Sequence, residues 1–220
     1  DALQAASEAQ TLAIEHPEQT LGVVPICGSY GHPLETFHDS RVVGTLFPYV
    51  RSVVSSFPGL AQLAWRSILK SEAAYQAAVR MEVNGKFVRR ADFAPYFEHM
   101  SGMDAQVFVE LLDGARQHTT EPRLGNVRAP TLVVAGEHDT FTPVWLSQRM
   151  QALIRDAELL VVPGGTHVAP IEIPELVNLR IERFLRERVV KGDANVKSVI
   201  GNATPRAVKA VGTRRRKKGA

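Results

Sequence analysis

The sequence predicts an α/β protein: a mostly parallel sheet flanked by helices, with an all-helical block inserted between its strands. Three observations carry this. Two compact apolar runs, TLVVAG (131–136) and AELLVVPGG (157–165), are each followed by an amphipathic stretch, the alternation that buries a parallel sheet on both faces. Residues 40–118 show almost no strand signal and break into helical pieces. The composition, 45% hydrophobic and 22% charged over 220 residues, is that of a soluble globular chain able to bury a core.

Taken in order, residues 1–16 read as an alanine-rich helix with Leu3, Ala6, Ala13 and Ile14 on its apolar side, closed by Pro17. LGVVPIC (21–27) reads as a short buried strand, although Pro25 cannot donate to a ladder, and GSYGHP (28–33) as a turn. Five helical pieces follow: SRVVGTLFPYVRSVVSS, GLAQLAWRSILK, EAAYQAAVRMEV, ADFAPYFEHM and DAQVFVELLDGARQHT, punctuated by Pro48, Pro58, Gly85 and Gly102. In the last, Phe108, Leu111, Leu112 and Ala115 recur at i, i+3, i+4 and i+7. After the first apolar strand, TPVWLSQRMQALI is a helix with Thr142 as N-cap and Pro143 as its first residue. After the second, PELVNLRIERFLRERV (174–189) is a helix with Leu176, Leu179, Phe184 and Leu185 on its apolar face. Periodicity stops near Gly192, where a disordered tail is expected. The chain thus divides into a helix-plus-strand piece of the core (1–33), a helical block (34–120), the rest of the core (121–190) and a tail (191–220).

The net charge of +3 is unevenly placed: residues 191–220 hold nine Lys and Arg against Asp193 alone, so the preceding part is mildly acidic. No apolar run reaches the roughly 18 residues of a membrane span, and residues 1–20 do not resemble a signal peptide. The single Cys27 excludes an internal disulfide and fits a reducing compartment, so a cytoplasmic location is expected. There is no Gly-rich phosphate loop. His16, His32, His38, His99, His118, His138 and His167 are scattered, so neither a metal nor another cofactor is expected. The run RRRKK (214–218) has the charge to meet nucleic acid, anionic lipid or an acidic partner. Without aromatics or a binding fold beside it, a solvated tail is the plainer reading.

Two strand-end turns carry the chemistry, GEHDTFTP (136–143) and PGGTHVAP (163–170). Asp139 leaves the C-terminal end of one strand and His167 that of the next, a separation that suits one crossover of about 30 residues. A right-handed crossover places both on the same rim of the sheet, where open α/β folds hold ligands. An aspartate that fixes the tautomer of a histidine is the orienting half of a Ser-His-Asp system. Singly, Asp139 reads as a cap for the helix near Thr142, and His167 as a turn residue. Their order and spacing favour the paired reading. His138 is a surface turn residue.

The segments VRAPTLVVAGEHDTFTPVWLSQRM and AELLVVPGGTHVAPIEIPELVNLRIERFL resemble the C-terminal third of an α/β-hydrolase-fold enzyme of the esterase or lipase kind, and the resemblance covers about residues 1–190. It implies Asp139 as acid, His167 as general base, block 34–120 as a cap over a small-molecule substrate, and an activated serine attacking an ester, thioester or related bond without a cofactor. The family's nucleophile sits in a G-x-S-x-G turn that opens a helix. Counting back from His16-Pro17, that turn falls at or just before residues 1–5, where DALQA supplies neither nucleophile nor glycines. Ser29, in CGSYG, is the candidate inside the chain, but Pro33 stands where a helix should begin; Cys27 lacks the glycines it would need at 25 and 29. The chain therefore reads as the C-terminal portion of an enzyme, or the product of a truncated gene, holding acid and base without a nucleophile and inactive alone. A non-catalytic remnant or binding module of the same fold is the alternative, and a tail-tethered nucleic-acid binder a third. Phe47, Tyr49, Trp65, Tyr75, Phe87, Phe93, Tyr96, Phe97 and Phe108 either line the cap pocket or form the cap's own core.

Overall fold

In the computed structural model, which describes residues 2–36 and 42–190, the two apolar runs form a parallel pair. Strand β1 (Leu132–Gly136) lies beside β2 (Glu158–Val162), with Leu132 opposite Glu158 and Gly136 opposite Val162. All five residues of β1 are buried, as expected of a strand covered on both faces. Alternation sends Leu132 and Val134 to one side, among Val162, Val177 and Phe184. Val133 goes to the other, among Ala13, Leu124, Leu146 and Met150. Helix α8 (Val144–Leu153) closes the second face and α10 (Pro174–Phe184) the first.

Segment 21–27 runs parallel along the free side of β1 but makes only two isolated bridges, Val23 with Thr131 and Ile26 with Val134. The reason is Pro25. Val23 donates to Pro130 O and accepts from Leu132 N, Pro25 O accepts from Val134 N, and Cys27 N donates to Val134 O. The rung that is lacking is the one a backbone N–H at position 25 would give to Leu132, which proline cannot supply. The expected continuous strand is thus a broken one in the expected place.

Helix α1 (Ala2–Glu15) ends before Pro17 and packs beneath this sheet through the fully buried Ala13. Its Gln10 donates to the Met150 sulfur of α8 at 3.1 Å and accepts from Thr120 Oγ1. A Cβ at Gly28 would come within 2.4 Å of the Ala6 methyl, so the turn after segment 21–27 requires glycine for this approach.

The helical block comprises α2 (Pro33–Thr36), α3 (Val42–Ser56), α4 (Pro58–Leu69), α5 (Glu72–Glu82), α6 (Arg90–Gly102) and α7 (Ala105–Gln117). Pro58 opens α4 and Gly102 closes α6, whereas Pro48 lies inside α3, where it leaves the Gly44 carbonyl without its helical N–H. Leu34, Phe47 and Val109 form a small core, Trp65 packs on Phe108 with ring centroids 4.8 Å apart, and Tyr75, Phe93, Tyr96 and Phe97 contact one another. Most of the aromatics therefore meet within the block, while Tyr49 is 72% exposed.

Two local expectations differ from the structure. Helix α8 starts at Val144 with Pro143 as the residue before it, because the Thr142 hydroxyl is taken by Asp139 and does not cap the helix. On α10 the buried residues are Val177 and Phe184, with Leu176 half-buried against the same core as expected, while Leu179 and, just past the helix, Leu185 face solvent. Residues 191–220, including the 214–218 basic run, lie outside the described residues, as does His38.

Candidate active site

The turn between β1 and α8 and the turn after β2 bring Asp139 and His167 together. His167 Nδ1 lies 3.0 Å from Asp139 Oδ2 and 3.3 Å from Oδ1. The Asp139 side chain is wholly buried and that of His167 is 17% exposed, so the ring has one nitrogen on the carboxyl and one edge toward solvent. Asp139 is also a local anchor: Oδ1 accepts from Phe141 N at 2.9 Å and Thr142 N at 2.8 Å, and Oδ2 accepts from Thr142 Oγ1 at 2.7 Å. These bonds leave Asp139 in one orientation. The Phe141 ring stacks on His167 with centroids 4.8 Å apart. The Asp139 carboxyl thus holds its own turn and faces the His167 ring at once, but it does not cap α8, which has no side-chain cap.

The turn that carries His167 is tied down on several sides. Gly164 N donates to Glu137 Oε2 at 2.7 Å, and Gly165 O accepts from His138 N at 2.8 Å. From the helical block, Asn84 Nδ2 donates to Gly164 O at 2.8 Å. Glu172, the last residue of α9 (Ala169–Glu172), accepts from Thr166 N at 2.6 Å and from Thr166 Oγ1 at 2.8 Å. Sequence reasoning missed Asn84 and Glu172. Asn84 sits in a polar turn between α5 and α6 with nothing local to mark it. Glu172 follows His167 by five residues inside an otherwise apolar stretch, and a lone acid there was the only signal available.

Comparisons with known proteins agree with this architecture. The family described as TAP-like protein (Abhydrolase_4) matches residues 111–196, the stretch that holds both turns. The enol-lactonase from Burkholderia xenovorans has a similar structure, with a TM-score of 0.63 and 14% identity over 83% of this chain and 62% of that one. Here we have an α/β-hydrolase-fold protein. Among its curated relatives, protein ABHD8 of Bos taurus is 41% identical over 56 residues, covering 26% of this chain and 13% of ABHD8. RutD of Rhizobium rhizogenes, which carries a carbamate hydrolase designation, is 36% identical over 73 residues, or 33% of this chain and 28% of RutD. The chain thus matches less than a third of either relative's length.

Within this α/β-hydrolase fold, neither remaining candidate meets His167. The Ser29 hydroxyl, 1% exposed, donates to Gly31 O at 2.7 Å and accepts from Gly31 N at 3.1 Å, closing a local turn. Cys27 has a left-handed φ of 45°, and its thiol points inward to Thr166 O at 3.7 Å. Among the described residues, no group of three His, Cys, Asp or Glu side chains is placed to hold a metal ion. No helix among them is long and apolar enough to cross a membrane. Two surface concavities in the helical block, one walled by Tyr75 and Phe97 and one by His99 and Met103, do not include Asp139 or His167.

Burial, with the Asp139 charge second, pushes the Cys27 thiol up to about 12 from 9.0. At about pH 8 its thiolate fraction is then about 1,000-fold smaller than in the unfolded chain. A thiol reagent should label the native protein at least about 100-fold more slowly than denatured protein. The folded state also keeps this proton where the unfolded chain loses it, so stability falls as pH rises from about 9 toward about 12. Cys27→Ala should remove that part of the slope in urea titrations run across the window.

Proposed function

We propose that this chain carries the acid and base of a serine-hydrolase-type reaction on a small molecule with an ester, thioester or related acyl bond. Asp139 orients His167, and His167 Nε2 takes the proton of an attacking hydroxyl and returns it to the leaving group. The observation that carries the reading is the 3.0 Å contact between His167 Nδ1 and a fully buried Asp139 carboxyl that three other donors hold still. With Nδ1 engaged there, the proton-accepting nitrogen is the one on the open side. The enol-lactonase and carbamate hydrolase designations of two similar proteins are compatible with acyl chemistry of this kind. The helical block, which leaves Val53, Phe57 and Leu60 exposed on α3, its end and α4, acts as a cap whose apolar face receives the acyl portion. The reaction needs no cofactor, and its setting is the cytoplasm.

The nucleophile is not assigned. Among the described residues no hydroxyl is hydrogen-bonded to His167 Nε2, and the Ser29 hydroxyl is committed to Gly31. The chain by itself is therefore expected to be inactive, which also leaves room for a non-catalytic binding module of the same fold. A fluorophosphonate probe tests this directly: no covalent labelling is expected. Labelling lost in both Ser29→Ala and His167→Ala would make Ser29 the nucleophile. Labelling lost in His167→Ala alone would place it elsewhere in the chain.

A further inference from the structure

The backbone under His167 is coupled to the helical block through one buried side chain. Glu172 is 5% exposed, and its two oxygens collect three short hydrogen bonds. Two come from Thr166, the residue before His167: its N at 2.6 Å and its hydroxyl at 2.8 Å. The third comes from the other side, Asn84 N in the α5–α6 turn, at 2.6 Å. Asn84 then reaches past Glu172 with its side chain to Gly164 O, two residues before Thr166. The α5–α6 turn thus grips the histidine turn at two points, one direct and one through Glu172.

A buried carboxyl that loses a donor keeps an unmatched acceptor, which is costly away from water. The three donors are therefore not independent. If the α5–α6 turn withdraws, Glu172 must re-aim toward water, and the Thr166 N–H and hydroxyl go with it. His167 is the next residue along the chain, and its bond to Asp139 is directional. A displacement of about 1 Å in such a site is enough to spoil its geometry.

We propose that Glu172 is a positioning residue for His167, and that Asn84 conveys the placement of the helical block to it, so that the His167–Asp139 hydrogen bond forms fully only when the α5–α6 turn is seated. The inference rests on the reading of His167 as the base. Neither residue touches the reacting atoms: Glu172 acts through Thr166, and Asn84 through Glu172 and Gly164. In a hydrolase this makes the base responsive to what occupies the space under the helical block.

The test is the tautomer of the His167 ring in the full chain, read by two-bond 1H–15N correlation spectra of 15N-labelled protein and assigned by the signal lost in His167→Gln. Wild-type protein should show a protonated Nδ1 and a bare Nε2, because Nδ1 faces the carboxyl. Asn84→Ala, a change at a half-buried turn, should keep the fold by circular dichroism while both nitrogens of His167 shift toward the averaged position of a free imidazole. Glu172→Gln should shift them further. A residue that only staples the turn would lower the melting temperature and leave the tautomer alone, so folded Asn84→Ala and Glu172→Gln proteins with wild-type His167 signals would overturn the proposal. Should Glu172→Gln fail to fold, Asn84→Ala decides it. Asp139→Asn separates the two levels: an unchanged tautomer there sinks the acid–base reading itself, while a changed one beside silent Asn84 and Glu172 variants sinks only the positioning role.

Discussion

Gly136→Ala is expected to destabilise the protein by about 3 kcal/mol and to dislodge the turn that carries His167. A Cβ at this position would stand 2.1 Å from Thr166 O, 2.7 Å from Thr166 C and 2.8 Å from Gly165 O. All three are backbone atoms, so no side-chain rotamer can relieve the overlap. One partner, β1, is buried along its whole length; the other is fixed from behind by Glu172 and Asn84. Either the end of β1 or the turn must move, and the turn is the softer of the two. Its bonds to His138 N and Glu137 would go first, at 2.8 and 2.7 Å in the native chain. Urea unfolding should show a lower midpoint with an unchanged slope. The His167 ring signals should shift toward those of free imidazole. A midpoint within error of wild type would mean that strand and turn are not packed this closely.

That contact illustrates what a single sequence can and cannot disclose. The glycine at the end of TLVVAG is plain in the sequence, but its reason for being glycine is an atom 30 residues away. Strand β1 was legible because burial on both faces writes an unbroken apolar run; β2 shows a similar run although only Val162 is fully buried and Glu158 to Val161 are half-buried. The pairing of the two turns was legible because crossover geometry is nearly invariant. Segment 21–27 was legible in place but not in continuity, since the effect of Pro25 depends on whether its missing N–H would have faced β1 or solvent. Along 174–189, apolar residues lie on more than one side, so periodicity alone picked Leu179 and Leu185 together with Leu176 and Phe184; packing against the core selects Leu176, Val177 and Phe184. Asn84 and Glu172 were illegible for a plainer reason. The two are 88 residues apart, and a polar contact at that range leaves no local pattern.

Asp139→Asn should have the largest effect on chemistry while sparing most of the fold. The alanine variant would be a poor probe. It removes the acceptor shared by Thr142 N, the Thr142 hydroxyl and His167 Nδ1, at about 1–3 kcal/mol for each such group left without a bond. Asparagine keeps a carbonyl oxygen at the Oδ1 position for the two backbone donors. Its NH2 falls at the Oδ2 position, where the Thr142 hydroxyl can rotate to accept. His167 Nδ1, formerly a donor, now faces a donor and must become an acceptor itself. The ring proton therefore moves to Nε2, the nitrogen that should be bare to receive a proton from the nucleophile. The expected signature is an inverted His167 tautomer in a protein that still folds, with stability lowered by about 1–3 kcal/mol. In an enzyme that completes this pair with a nucleophile, kcat should fall by a factor on the order of 10,000, the loss typical of a triad held in the wrong tautomer. A His167 that keeps its proton on Nδ1 opposite Asn at 139 would show that the carboxyl does not set the ring, and the assignment of acid and base would have to be abandoned.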